Sequence, residues 1–316
     1  MERTQYKKSN RKRRRLRKGR FFGFLLVLFI ITITTYSIVQ YKQGVKQSMK
    51  NGAGQKVNYE FNGEKDKNGG TNILLLGSDA REGDQHSRTD TIMIAQYHPE
   101  KGTYKIISLM RDMYVDIPGH GKGRINSAFS IEKEGPELLR KTIKENFNID
   151  LQYYAIVNFK GFEELINEAF PEGVDMDVEK KMSKNIGVTL EPGLQKLNGK
   201  QLLGYVRFRH DAISDFGRVE RQQKTLKALA SQVSGVQTVA KFPKLVGVMM
   251  PFINTDMSTG KLISIGNKLV TKKDADVESL RIPVDGTFQN ATVGGAAVLS
   301  VDLEQNRQAI EEFLAK

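Results

Sequence analysis

The residues best suited to chemistry in this sequence are a few aspartates and arginines set at the ends of apolar runs. Asp79 and Arg81 follow Gly77-Ser78. Arg88-Thr89-Asp90 precedes TIMIAQY, and Arg111-Asp112 follows TYKIISLM. Arginine offers a planar fork that matches phosphate oxygens. Aspartate offers hard oxygen ligands to Mg²⁺, which takes few protein carboxylates alongside substrate phosphate. Asp79 and Asp90 can therefore hold one Mg²⁺ (or Mn²⁺) against a pyrophosphate; the alternative is a pair of turn-forming or capping carboxylates. Tyr205-Val206-Arg207-Phe208-Arg209-His210 is a second basic cluster. If extended, it sets Arg207 and Arg209 on one face and Val206 and Phe208 on the other. Adjacent guanidinium groups repel unless they share an anion; the alternative is a charged, solvated edge strand. Asp215-Phe216-Gly217-Arg218 opens a helix whose stripe is Val219, Leu226, Leu229, Ala230 and Val233. Arg218 and Gln222 border that stripe, and Arg221 is expected to point away from it. A first-turn arginine opposes the helix dipole, so Arg218 favours a nearby anion; pairing with Asp215 or Glu220 is the alternative.

Other chemistries fail on composition. The chain has no cysteine, which removes disulfides, thiolate metal sites and a cysteine nucleophile. The four histidines include no i,i+4 pair, so a histidine metal site is not expected. Gly119-His120-Gly121-Lys122-Gly123-Arg124 lacks the Lys-Ser/Thr ending of a phosphate-binding loop and reads as a mobile turn. No nucleophile elbow or Ser/His/Asp order stands out.

The elements that must position these residues alternate sheet and helix. Strands are expected at 72–77, 91–97, 103–110, 153–158 and near 278–283. Helices are expected at 135–147, 160–169, 216–233 and 258–270, and a last one after Asp302, an N-cap with Gln305 three residues on. Helices interspersed with apolar strands argue a three-layer α/β domain, α-β-α with a mixed sheet. The first three strands are joined too tightly for crossover helices, so they form an antiparallel meander. Asp79, Arg81, Arg88, Asp90 and Arg111 then gather at one end of the sheet, where ligands of α/β folds bind.

The net charge of +13 suggests nucleic acid at first sight. Its distribution argues otherwise. Residues 1–20 hold eleven Lys/Arg and one Glu, a net +10, which leaves only +3 for the rest. The uncharged run FFGFLLVLFIITITTYSIV, residues 21–39, follows directly. At 1.5 Å per residue it spans about 28 Å, close to a bilayer core. The basic tail sets its orientation: N-terminus in the cytoplasm, the remainder outside. No small-x-small cleavage site follows closely, so the span is a retained anchor. Polar residues 40–70 read as a membrane-proximal stalk, and 71–316 as one domain. Nucleic acid is not an expected partner.

In combination, LLLGSDAR (74–81), RTDTIMIA (88–95), ISLMRDMYVDIPGHGKGRINSAF (107–129), VNFKGFEELIN (157–167), GLQKLNGKQLLGYVRFRHD (193–211) and DFGRVERQQ (215–223) closely resemble the LytR–CpsA–Psr family, membrane-anchored glycopolymer transferases of Gram-positive bacteria. The resemblance implies an apolar pocket for the polyprenyl tail of a lipid-pyrophosphate-linked polymer. By the family's motif, Asp79 and Asp90 ligate Mg²⁺; Arg88, Arg111, Arg207, Arg209, Arg218 and Gln222 grip pyrophosphate oxygens, with Arg81 in support. The implied reaction joins a wall teichoic acid or similar glycopolymer to the C6 hydroxyl of muramic acid in peptidoglycan, with Arg88, Arg111 and Asp90 in the catalytic set and Asp90 as a weak candidate base. A lipid-binding envelope-stress regulator and a lipid-carrier pyrophosphatase are the competing readings. One departure is Ala212-Ile213-Ser214, where glycine is commoner in the family; a local loop change is expected.

Overall fold

The computed structural model describes residues 18–50, 57, 59–78, 89–131, 135–211, 214–232, 236–271 and 277–316. The chain order begins α1 (Lys18–Lys50), β1 (Thr71–Ser78), β2 (Thr89–His98), β3 (Thr103–Leu109), β4 (Met113–Ile117), β5 (Gly121–Arg124), α2 (Ser127–Ser130), α3 (Gly135–Phe147), β6 (Tyr153–Asn158) and α4 (Phe159–Ala169). It continues β7 (Val174–Val178), β8 (Gly193–Leu197), α5 (Gly199–Arg207), α6 (Ser214–Gln232), α7 (Val236–Met249), β9 (Ile253–Thr255) and α8 (Thr259–Thr271). It closes with β10 (Val277–Ile282), β11 (Phe288–Val293), β12 (Ala296–Val301) and α9 (Leu303–Ala315).

The main sheet runs β10-β3-β2-β1-β6-β9. β1, β2 and β3 form the antiparallel meander, while β6 and β10 add in parallel, so the sheet is mixed. Side chains alternate across the pleat. Leu74, Leu76, Ile92, Ile94, Ile107 and Leu109 face one way, onto Leu138, Leu139 and Ile143 of α3 and Ile310 of α9. Met93, Tyr97, Tyr104 and Ile106 face the other, onto Leu226 and Ala230 of α6 and Ile265 and Leu269 of α8. This gives helix, sheet and helix layers. A second core lies under α4, α5, β7 and β8, and Ala228 and Leu229 of α6 pack against it. α6 is thus shared between two cores.

Gly119–Arg124, read from sequence as a mobile turn, makes the turn of a hairpin and its second strand, β5, paired with β4. β4, β5, β11 and β12 form a separate four-stranded sheet.

α1 is the one described helix long and apolar enough to cross a membrane, over Phe22–Met49. The compact unit begins at Gln40, ahead of the expected Thr71. Much of the segment read as a stalk is therefore folded. Residues 40–50 continue α1 and lie on α7: Ser48 Oγ donates to the Val248 carbonyl at 2.5 Å, and Gln47 donates to Glu168 at 2.9 Å. A Cβ at Gly44 would collide with the Lys244 carbonyl, and one at Gly247 with the Tyr41 carbonyl, so the two backbones touch. Tyr59 and Phe61 pack on the main core. Within that segment Gly44 makes a close helix crossing with Gly247 of α7.

Candidate functional site

Three chain segments meet at one end of the main sheet. Ile92 pairs with Leu109, so Asp90 and Arg111 each stand two residues beyond that pair, at the same edge. Arg111 Nη1 donates to Asp90 Oδ1 at 2.5 Å. Arg111 Nε donates to Asp215 Oδ2 at 2.8 Å, and Asp112 lies 3.5 Å away. Asp215 sits in the first turn of α6, where a carboxylate favours the helix dipole. The same Asp215 oxygen accepts from Arg218 Nη2 at 3.1 Å, and that nitrogen also donates to the Asp90 carbonyl at 3.0 Å. Asp215 therefore joins two guanidinium groups that would otherwise repel.

Burial acts to lower the pKa of Arg111, but Asp215, Asp90 and Asp112 outweigh it and hold the group above its ordinary value. Arg218 goes the other way. Its side chain is 5 % exposed. Desolvation pulls its pKa below the usual arginine range against the attraction of Asp215, and Arg111 and Arg209 add repulsion. Its Nε is buried with no hydrogen-bond partner. A buried, under-neutralised guanidinium with an open donor is a site that gains from an anion.

Arg218 lines a cleft of about 260 Å³. Asp90, Thr91 and Gln222 share its floor; Arg207 and Arg209 form the facing wall, with Leu203 and Val206 between. Gln222 donates to Thr91 Oγ1 at 2.9 Å. Arg111 does not line this cleft; it meets the cleft through Asp90. Arg207 and Arg209 are exposed and make no ion pair among the described residues. The Arg207 guanidinium rests 4.4 Å from the centre of the Phe159 ring, a cation–π contact.

The expected strand at 205–210 is not formed. Arg207 is the last residue of α5, started by a capping box of Asn198 and Gln201, and only Phe208 onward is extended. Arg207 and Arg209 still flank a buried Phe208, so both reach the cleft; Val206, expected on the opposite face, lines it as well. Arg221 points away from the Val219–Leu226 side of the stripe, as expected, toward Glu179, Asp211 and Phe208. It is buried, because the side of α6 opposite the sheet packs on the second core. Asp79, Arg81 and Arg88 lie outside the described residues, as do Ala212 and Ile213. Ser214, where a local loop change is expected, takes φ +42°, a left-handed backbone that suits glycine better.

Three residues at the rim escaped the sequence reading, Phe159, Lys184 and Asn185; Asn185 Nδ2 donates at 2.8 Å to Nε2 of His210, the end of the second basic cluster. None sits in a recognisable spacing. Asp215 was legible as a helix opener and as the alternative partner of Arg218, a pairing the structure contains at 3.1 Å. Among the described residues no cluster of three or more metal-ligating side chains occurs.

The profile of the LytR_cpsA_psr family matches residues 34–313. The chain belongs to this family. A similar LytR_cpsA_psr relative is the "Regulatory protein MsrR" of Staphylococcus aureus (strain COL), 44 % identical over 89 % of this chain and 85 % of that protein. "Polyisoprenyl-teichoic acid--peptidoglycan teichoic acid transferase TagU" of Enterococcus faecalis (strain ATCC 700802 / V583) is 29 % identical over 75 % of this chain and 78 % of its own length. Among solved structures, "TagT bound to LI-WTA" superposes with a TM-score of 0.61 at 26 % identity, covering 83 % of this chain and 96 % of that one. The family thus includes members named as teichoic acid transferases, and the mixed α/β domain is its fold.

Proposed function

We propose that this protein transfers a wall teichoic acid or related anionic glycopolymer from a polyprenyl-pyrophosphate carrier to the C6 hydroxyl of muramic acid in peptidoglycan. The observation that carries the reading is the cleft itself: buried Arg218, whose Nε has no hydrogen-bond partner, lines it together with Arg207 and Arg209, which make no ion pair among the described residues. The names of the TagU and TagT relatives support the substrate class.

A divalent ion fits the same floor. The Asp90 side chain is 40 % exposed; Arg111 holds its Oδ1, and Oδ2 has no partner among the described residues. Asp90, with Asp79 from the sequence pattern, would hold Mg²⁺ or Mn²⁺. Such an ion would neutralise pyrophosphate charge and, as a Lewis acid, polarise its phosphate oxygens. The chain's own residues do the rest. Arg207, Arg209 and Arg218 bind phosphate oxygens, with Arg88, Arg81 and Gln222 assigned to the same task by family motif. Arg111 fixes Asp90 and Asp215 in place. The acceptor oxygen bonds to the polymer-linked phosphorus, the bond to the bridging oxygen breaks, and polyprenyl phosphate leaves; Asp90 is the candidate acceptor of the hydroxyl proton. Positioning and charge neutralisation dominate such a transfer. The basic tail at 1–20 lies in the cytoplasm, α1 crosses the membrane, and the catalytic domain lies outside, beside peptidoglycan.

The regulatory name of the staphylococcal relative supplies a second reading, a protein that binds the same lipid without turnover. Full-length protein in detergent, given lipid-pyrophosphate-linked polymer, peptidoglycan and Mg²⁺, separates them. Attachment of polymer is expected, and Arg111→Ala or Asp90→Ala lowers it at least about 100-fold with the fold intact. Full activity in both variants overturns the site. Free polymer without attachment indicates a pyrophosphatase, and binding without turnover a regulator.

A further inference from the structure

Arg221 stands one position before Gln222 on α6, yet its side chain faces away from the cleft and is 3 % exposed. Its partners come from two other segments. Nη2 donates to the Phe208 carbonyl at 2.7 Å. Nη1 donates to Asp211 Oδ2 and to Glu179 Oε1, both at 3.0 Å. Glu179 in turn accepts from the Tyr205 hydroxyl at 3.0 Å, inside α5. The guanidinium also lies 5.2 Å from the Phe208 ring centre. One side chain therefore ties α6 to both ends of the short stretch 208–211, which carries Arg209 between the tied points, and to α5, which carries Arg207.

Among the described residues Arg207 and Arg209 have no ion pair to fix them. The stretch leaves the helix at Phe208, whose ψ of 132° ends α5, so its geometry rests on contacts made behind it. We propose that Arg221 is a positioning residue for donor binding: by clamping Phe208 and Asp211 it holds Arg207 and Arg209 in place in the cleft they line with Arg218 and Gln222. The proposal rests on the donor reading above and adds to it the part that presets the wall.

The planar fork is what the clamp requires. It serves a carbonyl and two carboxylates at once, which a lysine ammonium on a flexible stem does not reproduce. Arg221→Lys keeps the charge beside Asp211 and Glu179 but gives up the simultaneous hold on Phe208. A structural role alone would lower stability and leave donor affinity per folded molecule unchanged. A positioning role weakens donor binding, and only while the arginines it positions are present.

The experiment measures binding of geranylgeranyl pyrophosphate, against geranylgeraniol as control, by the full chain in detergent micelles. Arg221→Lys is expected to fold and to bind the pyrophosphate about tenfold more weakly, the order of one lost charge-assisted contact. In an Arg207→Ala/Arg209→Ala background the same change costs less than about twofold, the non-additivity of residues acting through one another. Should Arg221→Lys fail to fold, Asp211→Asn is read in the same two backgrounds, with a smaller loss of about fivefold in the first and none in the second. Unchanged affinity in the folded variant, or an equal loss in both backgrounds, overturns the proposal while leaving the donor reading intact. No preference of the wild type for the pyrophosphate over the alcohol overturns both.

Discussion

On the sheet side of the site, the described guanidinium groups answer to carboxylates: Arg111 to Asp90 and Asp215, and Arg218 to Asp215. On the opposite side, Arg207 and Arg209 answer to none among the described residues, and their nearest support is the Phe159 ring and the Arg221 clamp. The first wall is preorganised before any ligand arrives and keeps its charge largely internal. The second presents charge outward from a stretch that is held by its backbone. A polyanion entering between them finds rigidity on one side and uncompensated field on the other. Preorganised dipoles lower the cost of reorganisation during reaction, while outward charge raises local substrate concentration and is screened by salt.

The contrast is broken most severely at Asp215. Asp215→Ala leaves Arg218 buried without its carboxylate and removes one anchor of Arg111, so a loss of about 3 kcal/mol of stability is expected, together with a fall in transfer larger than any single change on the facing wall. Thermal unfolding alongside the transfer assay measures both. Arg209→Ala sits at the other extreme. It removes no ion pair, so the melting temperature should stay within about 1 °C, while affinity for the pyrophosphate probe falls about tenfold and loses part of its salt dependence. An affinity unchanged by Arg209→Ala at low salt would remove the second wall from the account. The smallest effect is in acid. Burial acts to raise the pKa values of Glu179 and Asp211, but hydrogen bonds, those from Arg221 among them, hold both below their ordinary values of 4.5 and 3.8. Carboxylates with depressed folded pKa values contribute stability above the unfolded value and lose it as pH falls through the folded one. The 208–211 stretch should therefore loosen below about pH 4.5, seen as faster amide exchange there than in β1–β3.

The layered fold was legible where one rule governed each element. β1, β2 and β3 match their expected spans closely because apolar runs are bounded by turns, and α9 begins at Asp302, whose side chain accepts from the Gln305 amide as the cap pattern requires. Where two rules competed, the sequence misled. α7 carries Pro243, which reads as a breaker, inside an apolar run. β5 is Gly-Lys-Gly-Arg and β11 is largely exposed, so neither shows an alternating apolar face. The direction of Arg221, away from the stripe, was legible, but its burial was not, because α6 has a core on each side and one stripe reveals only one of them. At the site, the bringing together of Asp90 and Arg111 followed from meander geometry alone. Lys184 and Asn185 reached the rim through a tertiary contact that no local spacing encodes.

The crossing of Gly44 over Gly247 also fixes where this protein can be cut. A fragment trimmed to Thr71, the first strand, strips a helical lid from α7 and uncovers a groove shaped for backbone, with the Val248 carbonyl losing the Ser48 hydroxyl. A fragment beginning at Gln40 retains that lid, together with Tyr59 and Phe61 against the main core. Solubility and yield of the two fragments should diverge in favour of the longer one, although it carries more of the apolar helix.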